Sequence, residues 1–339
     1  MIYIKNFFYE KYKNKIKEDE KKVREKIKQH YVQIYKGKLF KKIKNSHQVE
    51  PLHLEYQYNK TYFPKVIVFD LDETLGSFAD MESLWSGINS YAKLSETAHK
   101  YSQSDFNRFM DLYPEFLRTG ILEILSFVNS KKRAKECFRL YIYTNNQCAA
   151  SWTNMISKYI SSKIGSTTNI FDRNICAFKC GDKIIEPGRT TNDKTYTDFI
   201  QCTMLTNTMS SRTIELCFID NTFFDKMKHD KVYYIQPRSY YHGLSYKTIM
   251  DRFTNQTHDS ITGLITESPG FLEFMYNWFL MKETKTFYKT KSQEEYDDDL
   301  IIQQKIMYNI REFFYMSTKN SYTKRIRGSS IGKYTKKNR

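Results

Sequence analysis

The stretch KVIVFDLDETLGSF, residues 65–78, decides the fold. Val66 to Phe69 form an unbroken apolar run, the pattern of a strand buried on both faces. The run ends in two acids one residue apart, Asp70 and Asp72, followed by Glu73, Thr74 and Leu75. A carboxylate buried without a partner is costly. A buried strand that ends in carboxylates therefore points to a pole where those acids meet water, cations or a ligand.

Two later apolar runs end in the same way. LYIYTNN delivers Thr144 and Asn145, and ELCFIDN delivers Asp220 and Asn221. The spacing predicts strands over 138–143, 214–219 and 232–235, and a short hairpin or strand over 175–185. Helical patterns fall between them, over 81–112, 149–163 and 195–206, with a further helix from Pro114 to Asn129. Apolar strands alternating with helices predict an α/β fold, a parallel sheet flanked by helices. In such sheets ligands bind outside the carboxyl ends of the strands. Three strands ending in acid, hydroxyl or amide thus converge on one pole.

These residue types suit phosphoryl transfer. A phosphate ester repels a carboxylate nucleophile, and a divalent cation neutralises both. Mg²⁺ takes oxygen ligands, commonly one or two carboxylates with waters and substrate phosphate. Asp70 can ligate the metal and attack phosphorus, forming an aspartyl-phosphate. Asp72 can protonate the leaving oxygen and then deprotonate the attacking water. The Thr144 hydroxyl, the Asn145 backbone N–H and a lysine would hold the non-bridging oxygens.

DLDETL at 70–75 resembles the first motif, DxDx[TV], of the haloacid dehalogenase (HAD) superfamily. Glu73, where glycine is commoner, is similar to the FCP/SCP or NLI-interacting-factor-like branch, protein phosphatases of the RNA polymerase II C-terminal domain. YIYTNN resembles the second motif and FIDN the fourth. EFLRTGILEIL resembles the branch's Arg-Pro-Gly helix start, with Thr119 in place of proline, and FDRNICAF its Arg-x-x-Cys segment. The resemblance covers residues 65–242. It implies a HAD-like (Rossmann-like) fold and a Mg²⁺-dependent phosphoserine or phosphothreonine phosphatase. Asp70 would be the nucleophile, Asp72 the acid/base and Thr74 the support of the motif loop. Thr144 and Asn145 would bind phosphate. Asp70, Asp72, Asp220 and Asn221 would form the metal site, Asp72 through its backbone carbonyl. The third motif, usually Lys-Asp-Leu, would be carried by Lys194 in NDKTYTDF, with Lys179 and Lys183 as alternatives.

The organisation follows. Residues 1–60 are a basic helical extension and linker, whose segment 9–45 carries Ile16, Val23, Ile27, Tyr31 and Ile34 at helical spacing. Residues 61–250 form the phosphatase-like domain, with a short helical insertion at 76–112. Such an insertion, smaller than a full cap domain, suits a macromolecular substrate. Its Trp85 and Tyr91 are expected to pack internally rather than line the site. Residues 251–316 are helical, with aromatic core positions in GFLEFMYNWFLM and a solvated turn at EEYDDD, 294–299. Residues 317–339 lack apolar periodicity and are expected to be disordered.

The net charge of +16 is concentrated at the ends: residues 1–50 carry +9, residues 317–339 carry +8, and the remainder −1. Basic ends can hold nucleic acid or an acidic partner, or simply be solvated. They keep open a second function, a polynucleotide 3′-end phosphatase, and a third, a catalytically weak binding module. No run reaches the ~18 apolar residues of a membrane span, and charge breaks the N-terminus too early for a signal peptide. The six cysteines form no CxxC pair and are expected to be free thiols of an intracellular protein, cytoplasmic or nuclear, or of a viral factory or virion if viral.

Overall fold

In the computed structural model the described residues are 31–41, 64–94, 101–147, 150–204, 214–254, 270–283 and 290–323. A six-stranded sheet organises them. Its strands are β1 (Val32–Lys36), β2 (Lys65–Phe69), β3 (Arg139–Tyr143), β4 (Arg173–Ile175), β7 (Glu215–Ile219) and β8 (Val232–Pro237), in the order β1-β8-β7-β2-β3-β4. All neighbours are parallel except β1, which runs antiparallel to β8. β5 (Lys179–Cys180) and β6 (Lys183–Ile184) form a separate hairpin, within the expected 175–185 segment.

The central position of β2 follows from its side chains. Ile67 and Phe69 enter one buried cluster, Val66 and Val68 the other, and all four are fully buried. Period-two alternation puts apolar groups on both faces, so both must be covered. One face is covered by α6 (Tyr196–Met204), through Phe199 and Cys202. The other carries a thick helical layer. It is built from α2 (Ala79–Leu94), α3 (Gln103–Asp111), α4 (Ile121–Arg133), α5 (Ala150–Lys163), α7 (Tyr246–Thr254), α8 (Phe271–Glu283) and α9 (Gln293–Thr323). Ile302, Ile306, Ile310, Phe313 and Phe314 of α9 share a buried cluster with Ile67 and Phe69. A four-residue helix, α1 (Lys38–Lys41), follows β1 and buries Phe40 beneath Tyr233.

Four expectations need correction. Residues 9–30 lie outside the described residues, but 32–36 are a strand, not the end of a helical stripe. Ile34 faces Ile235 across the ladder; β1 fills the edge of β8 that β7 leaves open, and this long-range pairing leaves no trace in local periodicity. Secondly, Pro114–Phe116 is an isolated 3₁₀ turn, and α4 begins only after Gly120. Gly120 has φ 68°, and a Cβ there would meet Gln303 Cγ of α9 at 2.2 Å. The chain bends at this point to turn Arg118 inward.

Thirdly, EEYDDD is not a solvated turn. It opens α9, and Asp298 and Asp299 are buried against Arg238 and Lys291. Finally, α9 continues to Thr323 into the segment expected to be disordered, while residues 324–339 lie outside the described residues.

Cys137, Cys176, Cys180, Cys202 and Cys217 are free thiols, and Cys148 lies outside the described residues. Among the described residues no helix is long and apolar enough to cross a membrane.

Candidate active site

β2, β3 and β7 lie side by side and parallel, so their carboxyl ends share one pole. Backbone bonds carry each ladder one residue past the strand. Asp70 N–H reaches the Ile219 carbonyl at 2.9 Å, Thr144 N–H the Ile175 carbonyl at 2.9 Å, and Asp220 N–H the Ile235 carbonyl at 3.1 Å. The sheet thereby fixes the backbone of all three residues, and all three are buried.

Lys194 joins two of the carboxylates. It sits two residues before α6, is 1% exposed, and its Nζ bonds Asp70 Oδ1 and, at 2.7 Å, Asp220 Oδ2. Lys179 and Lys183 stand instead on the exposed β5–β6 hairpin. The folded chain therefore brings Lys194 to the acids and not the two alternatives. Burial opposes the charge on Lys194, but the carboxylates of Asp220 and Asp70 outweigh it and hold its pKa above the usual lysine value. Burial pushes the Asp220 carboxyl upward, against the pull of Lys194.

Asp72 is held from another side. Its Oδ2 accepts a bond from Asn146 Nδ2 at 2.8 Å. Burial raises its pKa to about 6, opposed by the Asn146 amide and reinforced by the charge of Asp70. Thr144 Oγ1 accepts the Asn146 N–H at 2.9 Å, which leaves its own O–H free to donate.

Thr74 and Asn221 brace each other. Thr74 Oγ1 donates to Asn221 Oδ1 at 2.9 Å and accepts the Asn221 N–H at 3.0 Å. Asn221 Nδ2 donates to Glu73 Oε2 and Ser239 Oγ, both at 3.0 Å. The Asn221 carboxamide is thus engaged with the loop after β2, with one lone pair of Oδ1 to spare. Glu73 has φ 58°, a left-handed conformation unusual for a non-glycine residue. Such strain costs about 1–3 kcal/mol and persists where the surroundings over-determine it. Arg118, the inward-turned residue before α4, is 2% exposed and bonds the carbonyls of Glu73 and Thr74.

Arg189 closes the other side. It is 2% exposed and donates to the carbonyls of Thr144 (2.9 Å) and Cys176 (2.7 Å) and to Asn145 Oδ1 (2.6 Å). It also reaches the Asn192 carbonyl at 3.2 Å and lies over the Tyr143 ring. It ties the end of β3 to the segment that leads into Lys194. Asn145 meets the site through this bond; its side chain is an acceptor for Arg189. Arg173, in the Arg-x-x-Cys-like segment, pairs with buried Glu186 at 2.8 Å.

The expected residues therefore lie at one pole in three bonded groups: Asp70 and Asp220 on Lys194, Asp72 with Thr144 and Asn145 through Asn146 and Arg189, and Thr74 with Asn221. Asn146 and Arg189 are additions. Asn146 directly follows the expected Asn145, so the doublet at the end of β3 was the one local signal that could have found it. Arg189 lies in an irregular segment with no periodicity, so nothing local marks it. Trp85 and Tyr91 pack within the helical layer, against Phe106 and Phe109 and against Phe271 respectively, as expected.

Two carboxylates, Asp70 and Asp220, here share one bonded ammonium, and Asp72 is bonded to Asn146 instead. That excess of negative charge, with oxygen donors only, suits a hard divalent cation. Among the described residues no three His, Cys, Asp or Glu side chains are grouped as a metal cage. Mg²⁺ does not need one, since it keeps waters and uses few carboxylates. Compared with protein-family models, curated proteins and solved structures, the chain matches none.

Proposed function

We propose that the protein is a Mg²⁺-dependent phosphomonoester hydrolase of the HAD type, acting on phosphoserine or phosphothreonine in proteins. The observation that carries the reading is the Asp70–Lys194–Asp220 network at the end of the central strands, with Asp72 beside it. The motif resemblance, including Glu73, points it toward the FCP/SCP branch. The insertion supports a large substrate: Leu84, Trp85, Ile88, Phe106 and Phe109 are buried in the same cluster as the sheet face. It belongs to the body of the fold, as an insertion smaller than a separate cap would.

In this mechanism Asp70 attacks phosphorus. A P–O bond forms to its carboxylate, the ester P–O bond breaks, and Asp72 gives its proton to the leaving oxygen. Water then attacks the aspartyl-phosphate at phosphorus, and Asp72 takes a proton from it. Phosphate leaves and Asp70 is restored. Lys194 and the Thr144 hydroxyl donate to the non-bridging oxygens, and the Asn145 backbone N–H adds a third donor. Asp70, the backbone carbonyl of Asp72, and Asp220 with Asn221 would hold Mg²⁺. When bound, the ion supplies positive charge that offsets repulsion between Asp70 and the phosphate. The free thiols suit an intracellular setting.

The role of Asp72 is tested by leaving group. Asp72→Asn is expected to lower kcat/KM for an alkyl phosphate such as phosphoserine by about 10²–10⁴-fold. For p-nitrophenyl phosphate, whose leaving group needs no proton, the loss should be much smaller. Equal losses on both substrates would remove Asp72 from the acid role.

The substrate class is tested by a panel of phosphopeptides and 3′-phosphorylated oligonucleotides, assayed with Mg²⁺ and after chelation. Hydrolysis of phosphopeptides that chelation abolishes is expected. Preference for the oligonucleotides would establish the polynucleotide reading that the basic ends keep open, and hydrolysis of neither would leave a binding module.

A further inference from the structure

The acids of EEYDDD take no part in the site described above, yet two of them are buried. Asp299 bonds Lys291 Nζ at 2.6 Å, and the two side chains are 5% and 1% exposed. Asp298 meets Arg238 at 3.3 Å. A buried lysine in an ion pair must have its remaining surface covered, and here aromatic rings cover it. Lys291 Nζ lies 3.9 Å from the centre of the Tyr240 ring, 4.9 Å from Tyr241 and 5.5 Å from Tyr296. These are cation–π distances. Gly243, at φ 74°, admits the lysine stem: a Cβ there would meet Lys291 Cγ at 2.7 Å.

Tyr240 is the link to the site. Its backbone N–H donates to the Glu73 carbonyl at 3.0 Å. Its ring faces a second cation, the Arg118 guanidinium, at 5.3 Å. Arg118 bonds that same Glu73 carbonyl and, at 2.8 Å, the carbonyl of Arg238. Glu73 thus keeps its left-handed conformation under two donors, both supported by the 238–241 segment. That segment is in turn fastened to α9 by Lys291–Asp299 and Arg238–Asp298.

We infer that Lys291 and Asp299 are positioning residues: they clamp Tyr240 onto the strained Glu73 and so set the loop that carries Asp72. The inference rests on the phosphatase reading for its kinetic test, and amide exchange tests it without activity. Lys291→Met keeps the stem and removes the charge, Lys291→Arg keeps the charge, and Asp299→Asn weakens the pair if the first variant fails to fold. With p-nitrophenyl phosphate, Lys291→Met is expected to lower kcat about tenfold with little change in KM, as displacement of a reacting group does. Lys291→Arg should recover most of it.

The decisive comparison is a cycle with Glu73→Gly. Glycine adopts positive φ without steric cost. In that background the Lys291→Met factor should shrink toward one. Hydrogen exchange at residues 72–76 should accelerate in Lys291→Met and slow again in Lys291→Arg. An equal kcat factor in both backgrounds, or unchanged exchange in a folded Lys291→Met, overturns the inference. An inactive wild type with accelerated exchange in Lys291→Met would instead sink the phosphatase reading and keep the clamp.

Discussion

Asp70→Asn is expected to abolish hydrolysis of p-nitrophenyl phosphate, by about 10⁴-fold or more, as loss of a nucleophile does. The asparagine is isosteric and keeps an acceptor oxygen for Lys194. It also removes one negative charge where two buried carboxylates, Asp70 and Asp220, share one ammonium. The thermal midpoint should therefore stay level or rise, and the loss of activity cannot be laid to unfolding. A folded Asp70→Asn variant with wild-type turnover would remove Asp70 from the mechanism.

Lys194→Met is the second large effect, and it should act on stability as well. Lys194 is fully enclosed, and Asp70 and Asp220 are both buried with it. Removing one partner of a buried ion pair costs about 3–5 kcal/mol, because the remaining charge is left uncompensated. Denaturant unfolding should show that loss. Turnover should fall by about 10²–10³-fold, the effect of removing one preorganised donor to the transferring group. Lys194→Met combined with Asp220→Asn should recover much of the stability and none of the turnover. A Lys194→Met variant of normal stability would contradict the buried pairing.

Much of this architecture was legible in the chain, for a physical reason. Val66–Phe69 is apolar on both faces, so it had to be central, and a strand's end is where its polar residues must emerge. Asp70, Thr144 and Asp220 could be placed at one pole because parallel order fixes which end is shared. Lys194 was harder. The choice among it, Lys179 and Lys183 depends on a hairpin that leaves the latter two in solvent.

Most of what escaped depends on contacts distant in sequence. β1 is a strand because β8 offers it an edge, 197–205 residues away along the chain in the paired register. EEYDDD looked like a solvated turn because its partners, Arg238 and Lys291, carry no periodic relation to it. Arg189 and the φ of Glu73 were invisible for the same reason: each is set by what surrounds it, not by its neighbours in sequence.

Direct capture of the adduct tests whether phosphoryl transfer passes through Asp70. The full-length protein is mixed with Mg²⁺ and a radiolabelled phosphomonoester that the panel shows it hydrolyses, quenched in acid within one turnover, digested and sequenced by mass spectrometry. A hydroxylamine-sensitive phosphoryl label is expected on the peptide that holds Asp70, and no label in Asp70→Asn. Hydrolysis that proceeds with no protein-bound phosphate, or with the label on another residue, would contradict transfer through Asp70.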